Sequence, residues 1–149
     1  MEWMYDKIQY HPNLCEPKQW DFTKYRPQVV ILAFGQNDSH PEDYMAADYE
    51  GEAARRWRAA YGRFLDTLRG IYPRAHLICK TTILEHDPAW DRAIEQVVAE
   101  KGDPAIHYFA YSNNAAGTKG HVRRPEAERM AEELSAYIER LNESFGFWE

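Results

Sequence analysis

Val29-Val30-Ile31-Leu32-Ala33-Phe34-Gly35-Gln36-Asn37-Asp38 is an apolar run that passes directly into a short polar loop. A continuous apolar stretch, β-branched at its start, predicts a strand buried on both faces over Val29 to Gly35. Gly35 gives the backbone the freedom for a tight turn, and Asn37 follows it with a side-chain amide to donate. In open sheets of parallel strands, ligands sit at the carboxyl ends of the strands near the topological switch point. The loop Gly35 to Asp38 is therefore the first candidate site.

The same alternation continues downstream. Trp57, Ala60, Tyr61, Phe64, Leu65 and Leu68 recur at three- and four-residue spacing and predict a helix from about Glu52 to Arg69, closed by Gly70 and Pro73. His76 to Thr82 reads as a second strand. Asp87-Pro88 then supplies an N-cap and a first-turn proline for a helix carrying Ala93, Ile94, Val97 and Val98, with Gly102 as its stop. Ile106 to Tyr111 is the third strand. A loop rich in Asn and Gly leads to a last helix from Pro125, with Met130, Ala131, Leu134, Tyr137, Ile138 and Leu141 facing inward. The order β-α-β-α-β-α implies an α/β fold with a parallel sheet and right-handed crossovers. Residues 1–28, with Pro12, Pro17 and Pro27 among scattered Tyr and Trp, show no sustained period and read as an irregular wrap. No repeat, low-complexity tract or linker divides the 149 residues, so one domain is expected.

Composition narrows the function. An apolar content of 44% is enough for one core, and a net charge of −6 disfavours a sequence-independent nucleic-acid binder, which needs excess Lys and Arg to displace counterions. No stretch approaches the roughly 18 apolar residues of a membrane span. The start, Met1-Glu2-Trp3-Met4-Tyr5-Asp6, lacks the basic and apolar regions of an export signal, which makes the cytoplasm the default expectation. Only Cys15 and Cys79 are present, too few for a disulfide framework or a thiolate metal site, and Cys79 reads as a buried thiol. Asp38, His40, Glu42 and Asp43, and likewise Glu85-His86-Asp87, lack recognised metal-ligand spacing and read as solvated loops. Lys119, Arg123 and Arg124 read as a surface cluster at a helix start, and most of the Trp and Tyr as core.

At Gly35-Gln36-Asn37-Asp38 and Gly120-His121 the chain resembles the C-terminal part of an SGNH (GDSL-type) hydrolase. Within that superfamily it is most similar to carbohydrate esterase family two. The family's Trp-Asp-Phe-Ser segment, Pro-Asp-Val-Val-Val strand and Gly-Thr-Asn-Asp loop are matched in order by Trp20-Asp21-Phe22-Thr23, Pro27-Gln28-Val29-Val30-Ile31 and Gly35-Gln36-Asn37-Asp38. Its last block, Asp-Trp-His-Pro before a helix with Met-Ala, is matched by Lys119-Gly120-His121-Val122 with Met130-Ala131. The resemblance covers roughly residues 5 to 143. It implies a three-layer, flavodoxin-like α/β domain, N-terminally incomplete, from a serine esterase or deacetylase acting on acetylated carbohydrate or another small acyl ester, with no metal or organic cofactor.

The resemblance also assigns roles. Asn37 would donate its side-chain N–H to the oxyanion, Gly35 would set the loop geometry, and Asp38 would anchor the loop through backbone amides. His121 would be the general base. Three departures stand beside this. The Gly-Asp-Ser block that carries the family's nucleophile is absent from the sequence and would lie before Met1; Ser39, Ser112, Ser135 and Ser144 have the wrong context. Thr118 and Lys119 occupy the places where a carboxylate would orient His121, and Val122 replaces the usual proline. Accordingly, either a longer polypeptide supplies the serine, or the chain is a non-catalytic pseudoenzyme or interaction module keeping half of the fold. A strand Val29 to Gly35 left at a sheet edge would also invite a partner, whether a missing segment or a second copy.

Overall fold

The computed structural model describes residues 4–9, 16–114, 116–117 and 121–148. Its elements are β1 (Lys7–Gln9), β2 (Lys18–Gln19), a 3-10 turn (Phe22–Lys24), β3 (Val29–Leu32), α1 (Tyr44–Ala47), α2 (Glu52–Ile71), β4 (His76–Lys80), α3 (Pro88–Lys101), β5 (Ile106–Phe109) and α4 (Arg124–Phe145). Local signals explain the helix ends. The Asp87 carboxylate accepts from Ala89 N–H, Pro88 occupies the first turn, and the chain leaves α3 through Gly102. At α4, the Glu126 carboxylate accepts from the Arg123 backbone N–H at 3.1 Å, tying the helix head to its third residue.

β3, β4 and β5 form one parallel sheet in that order, with Val29 opposite His76 and Leu77 opposite Ile106. Side-chain alternation along the central strand builds two cores. Leu77 and Cys79 point with Leu32 toward Tyr61, Phe64, Leu65 and Leu68 of α2 and Ile94 and Val97 of α3. Ile78 points the other way, with Phe109 and Tyr111, against Met130 and the half-buried Leu134, Tyr137 and Ile138 of α4. Helices cover both faces, giving the expected three layers. Burial pushes the Cys79 thiol up to about 12, so it packs as an inert apolar group. Cys15 lies outside the described residues.

β3 differs from what its sequence predicts. The strand ends at Leu32 rather than Gly35, and it is not buried on both faces: Ile31 is 46% exposed. Among the described residues β3 is an edge, and α4 seats over β4 and β5, reaching only Val29 of β3 at the rim of its cluster. An apolar run shows that a strand wants cover, not where that cover comes from. Ala131 is likewise exposed on α4. In the N-terminal wrap, β1 and β2 pair antiparallel, Trp20 N–H bonds Asp6 carbonyl, and Tyr5 and Phe22 lean edge-on against Phe64 and Tyr72. Among the described residues no helix is long and apolar enough to cross a membrane.

Candidate active site

Beyond Leu32 the chain leaves the sheet and turns at Gly35, whose φ of +110° is a conformation that side-chain-bearing residues rarely adopt. Space for one is tight as well. A Cβ at Gly35 would lie 3.0 Å from Trp90 Cε3 and 3.6 Å from Thr82 Cγ2. Gly35→Ala is therefore expected to cost about 2–4 kcal/mol from combined backbone strain and overpacking, read as a lower urea midpoint at unchanged slope.

The turn that follows is pinned by its neighbours. Ser39 Oγ donates to Gln36 carbonyl at 3.0 Å and lies 3.0 Å from His40 Nδ1, so this hydroxyl serves the turn. The Gln36 side chain reaches into the loop after β4, accepting from Leu84 N–H at 3.1 Å with a longer contact to Glu85 carbonyl. Asn37 is exposed, and its amide has no hydrogen-bond partner among the described residues, which leaves it available to donate outward. Asp38 is exposed too, and its carboxylate accepts no amide among the described residues; the anchoring contacts there are those of Gln36 and Ser39. Asp38 does act at longer range. Burial, and then Asp38 and Asp43, push the Tyr44 phenol up to about 12.

His121 lies just before α4, exposed, where the chain returns from β5. Its backbone is closely neighboured: Gly117 has φ +131°, and a Cβ there would fall 2.6 Å from His121 O and 3.1 Å from Val122 Cα. On the other side, Arg123 donates to Glu126 through backbone N–H, Nε and Nη2. Those bonds hold the Glu126 carboxyl down at about 2. Thr118, Lys119 and Gly120, where the sequence lacks an orienting acid, lie outside the described residues. In a parallel sheet the segments following β3 and β5 both leave from the carboxyl end. With β4 between them, the two strand axes are about 10 Å apart.

The loop after β4 fills that gap, and sequence reasoning missed it. Of Glu85-His86-Asp87, read as a solvated stretch, Glu85 is exposed as expected, but Asp87 is half-buried and so is His86, with Nδ1 2.5 Å from Asp91 Oδ2. Asn114, from the segment after β5, accepts from His86 N–H at 2.9 Å and donates to His86 carbonyl at 2.8 Å. Thr82 Oγ1 donates to Glu85 carbonyl at 2.6 Å. Burial raises the Asp91 carboxyl, an effect the His86 bond opposes. Lys80, at the end of β4, is 6% exposed and has no hydrogen-bond partner among the described residues; burial lowers its ammonium to about 8, and it lies 5.0 Å over the Tyr111 ring. Asp43 caps α1 and accepts from Trp90 Nε1 at 2.8 Å. Among the described residues no three His, Cys, Asp or Glu side chains converge on a metal-sized space. The only advance signals were side-chain amides at Gln36 and Asn114, and these have a partner only once the loops meet.

No family model matches the chain. It is 25% identical over 130 residues to the cellulase/esterase CelE of Acetivibrio thermocellus, covering 80% of this chain and 15% of that protein. Among solved structures, a family two carbohydrate esterase from Clostridium thermocellum in complex with cellohexaose is 25% identical, with a TM-score of 0.66, over 87% of this chain and 40% of that one. The family two esterase of Cellvibrio japonicus superposes with a TM-score of 0.69 at 21% identity, over 90% and 38%. The acetyl xylan esterase Est2A of Butyrivibrio proteoclasticus gives 0.67 at 18% identity, over 98% and 46%. The chain thus spans less than half of each relative. In fold and in sequence pattern, this chain is similar to the SGNH-type carbohydrate esterases of family two.

Proposed function

We propose that this chain carries the oxyanion donor and the general base of a serine-type esterase that removes short acyl groups, acetyl foremost, from carbohydrate. The single observation that carries this reading is the Gly35 to Asp38 turn, at the carboxyl end of β3, with the Asn37 amide unspent. In the reaction a serine hydroxyl adds to the ester carbonyl as His121 takes its proton, and Asn37 donates to the carbonyl oxygen as it gains charge. His121 returns the proton to the departing sugar hydroxyl. Water, deprotonated by the same imidazole, then cleaves the acyl-enzyme and frees the acid. Asp38 stays with the loop in this scheme, and no cofactor enters it.

The serine, on this reading, comes from a polypeptide segment that pairs with the open edge of β3. The exposed Ile31 on that strand and the chain's coverage of under half of its relatives support this. The relative crystallised with cellohexaose supports an oligosaccharide as the acyl carrier. A second reading, a non-catalytic module that keeps the fold and binds carbohydrate or a partner, is favoured by Ser39, whose hydroxyl is committed to its own turn.

Fluorophosphonate labelling and ester turnover separate the two. This chain alone is expected to remain unlabelled, whereas a form bearing a Gly-Asp-Ser segment labels and hydrolyses p-nitrophenyl acetate. His121→Ala then lowers that turnover to background. Labelling of the chain alone would refute the origin of the nucleophile, and full turnover by His121→Ala would refute the base.

A further inference from the structure

At the amino end of the sheet, opposite the Gly35 loop, lies a cavity of about 840 Å³, within the size range of small-molecule sites. Its walls come from four separate places: Phe22 of the 3-10 turn, Arg26 before β3, Tyr72 and Arg74 between α2 and β4, and Phe147 beyond α4, with His76 at the floor. The last wall is held in place. The chain reverses after α4, Gln28 Nε2 donates to Phe147 carbonyl at 2.5 Å, and Trp148 N–H bonds Asn142 Oδ1 at 2.9 Å. Phe147 then rests 4.6 Å from the His76 ring, itself stacked parallel on His107 with Nδ1 2.9 Å from His107 Nε2. Phe22 and Tyr72 meet edge-on at 6.0 Å.

Charge gives the cavity a direction. The protein is acidic, at −6, and Arg58, Arg69, Arg123, Arg124 and Arg129 each face a carboxylate. Arg26 and Arg74 differ from these five: among the described residues neither has an ion pair or hydrogen bond, and no Asp or Glu among the described residues lines the cavity they share. Two guanidinium groups without a counter-charge among the described residues, set beside flat rings, match an anion carried on a planar apolar body. A carboxylate fits the planar donor fork of arginine, and an aromatic ring gains most from edge and face contacts with Phe and Tyr.

We propose that this cavity binds a small aromatic carboxylate, its charge taken by Arg26 and Arg74 and its ring laid among Phe22, Tyr72 and Phe147. The site is separate from the Gly35 loop and independent of any esterase activity, so it holds or fails without regard to that reading. A neutral saccharide would use the rings but leave both arginines unanswered.

The test uses this chain as it stands, with cinnamate, cinnamyl alcohol, cyclohexanecarboxylate and cellohexaose titrated separately and followed by amide NMR. Cinnamate is expected to bind saturably, with shifts concentrated at Gln28, His76 and Phe147, and to weaken as salt is raised. The alcohol, lacking charge, and cyclohexanecarboxylate, lacking the flat ring, are each expected to bind at least about tenfold more weakly. Arg26→Gln and Arg74→Gln each lower cinnamate affinity by a similar factor, and because both side chains are exposed the fold is unaffected. No saturable cinnamate binding, shifts elsewhere on the chain, equal binding of the alcohol, or tighter binding of cellohexaose in this cavity would each overturn the proposal.

Discussion

Replacing Asn37 with Ala is expected to lower p-nitrophenyl acetate turnover about 10²- to 10³-fold in an esterase-active form of the protein, with the melting temperature held within about 1–2 °C. The two halves of that expectation have different causes. Asn37 is exposed and its amide bonds nothing among the described residues, so truncating it breaks no hydrogen bond to them. On the proposed reading its loss is felt only when an ester carbonyl becomes tetrahedral and its oxygen calls for a donor. Asn37→Asp sharpens the point, since a carboxylate of nearly the same shape accepts rather than donates and carries charge of the oxyanion's own sign. That variant should be at least as slow as the alanine. A polar turn without a catalytic part would lose neither rate nor stability, so near-normal turnover in Asn37→Ala would end the oxyanion assignment. A loss of rate matched by a large drop in melting temperature would point instead to a structural role.

On the proposed reading Asn37 needs its loop already in place, and the loop after β4 bonds to that turn through Gln36. The backbone polar groups of an irregular loop need partners, and this loop supplies only some of its own, as Thr82 does for Glu85 carbonyl. Two side-chain amides supply others from either side. Gln36 takes Leu84 N–H from the β3 side, and Asn114 clasps both backbone groups of His86 from the β5 side. The central loop is thereby stitched to both flanking segments, and the Gln36 stitch lies next to Asn37. His86 and Asp91 complete the arrangement beneath.

What the sequence disclosed follows from how local each signal is. Helix α3 was legible almost to the residue because Asp87, Pro88 and Gly102 each act within one turn of themselves. The stripe on α2 was legible because Tyr61, Phe64, Leu65 and Leu68 repeat at the helical period. Arg58 was not: its place in the core depends on bonding Tyr49 carbonyl at 2.7 Å and lying 4.1 Å over the Tyr49 ring, after α1 and α2 have met. The reading of β3 failed on one face because hydrophobicity records a demand for cover, and in this chain Ile31 is left uncovered. β1 and β2 were missed since strands of two or three residues show no alternation. His86 and Asp91 stand on opposite sides of a helix start, so no period connects them. Gly35 and Asn37 were visible as a motif, but the reason for the glycine was hidden in Trp90.

Trp90→Ala is expected to destabilise the fold by about 3–5 kcal/mol and lower the melting temperature by roughly 10 °C. Trp90 is 3% exposed, crosses Tyr44 and Trp57 edge-to-face at 5.4 and 5.1 Å, and donates Nε1–H to Asp43. It thus joins α1, α2 and α3 in one cluster while forming the floor under Gly35. Trp90→Phe keeps the ring and loses the hydrogen bond; because Asp43 still accepts from Ala46 N–H, the cost falls to about 1 kcal/mol plus the packing of the smaller ring. The link to the candidate site is measured by a double-mutant cycle. The cost of Gly35→Ala has a steric part, from Trp90, and a backbone part, from φ. In a Trp90→Ala background the steric part is gone, so the double mutant should cost about 1–3 kcal/mol less than the sum of the two singles. Strict additivity in urea unfolding would mean that Trp90 does not set the position of the loop, and that the glycine is required for its backbone angle alone.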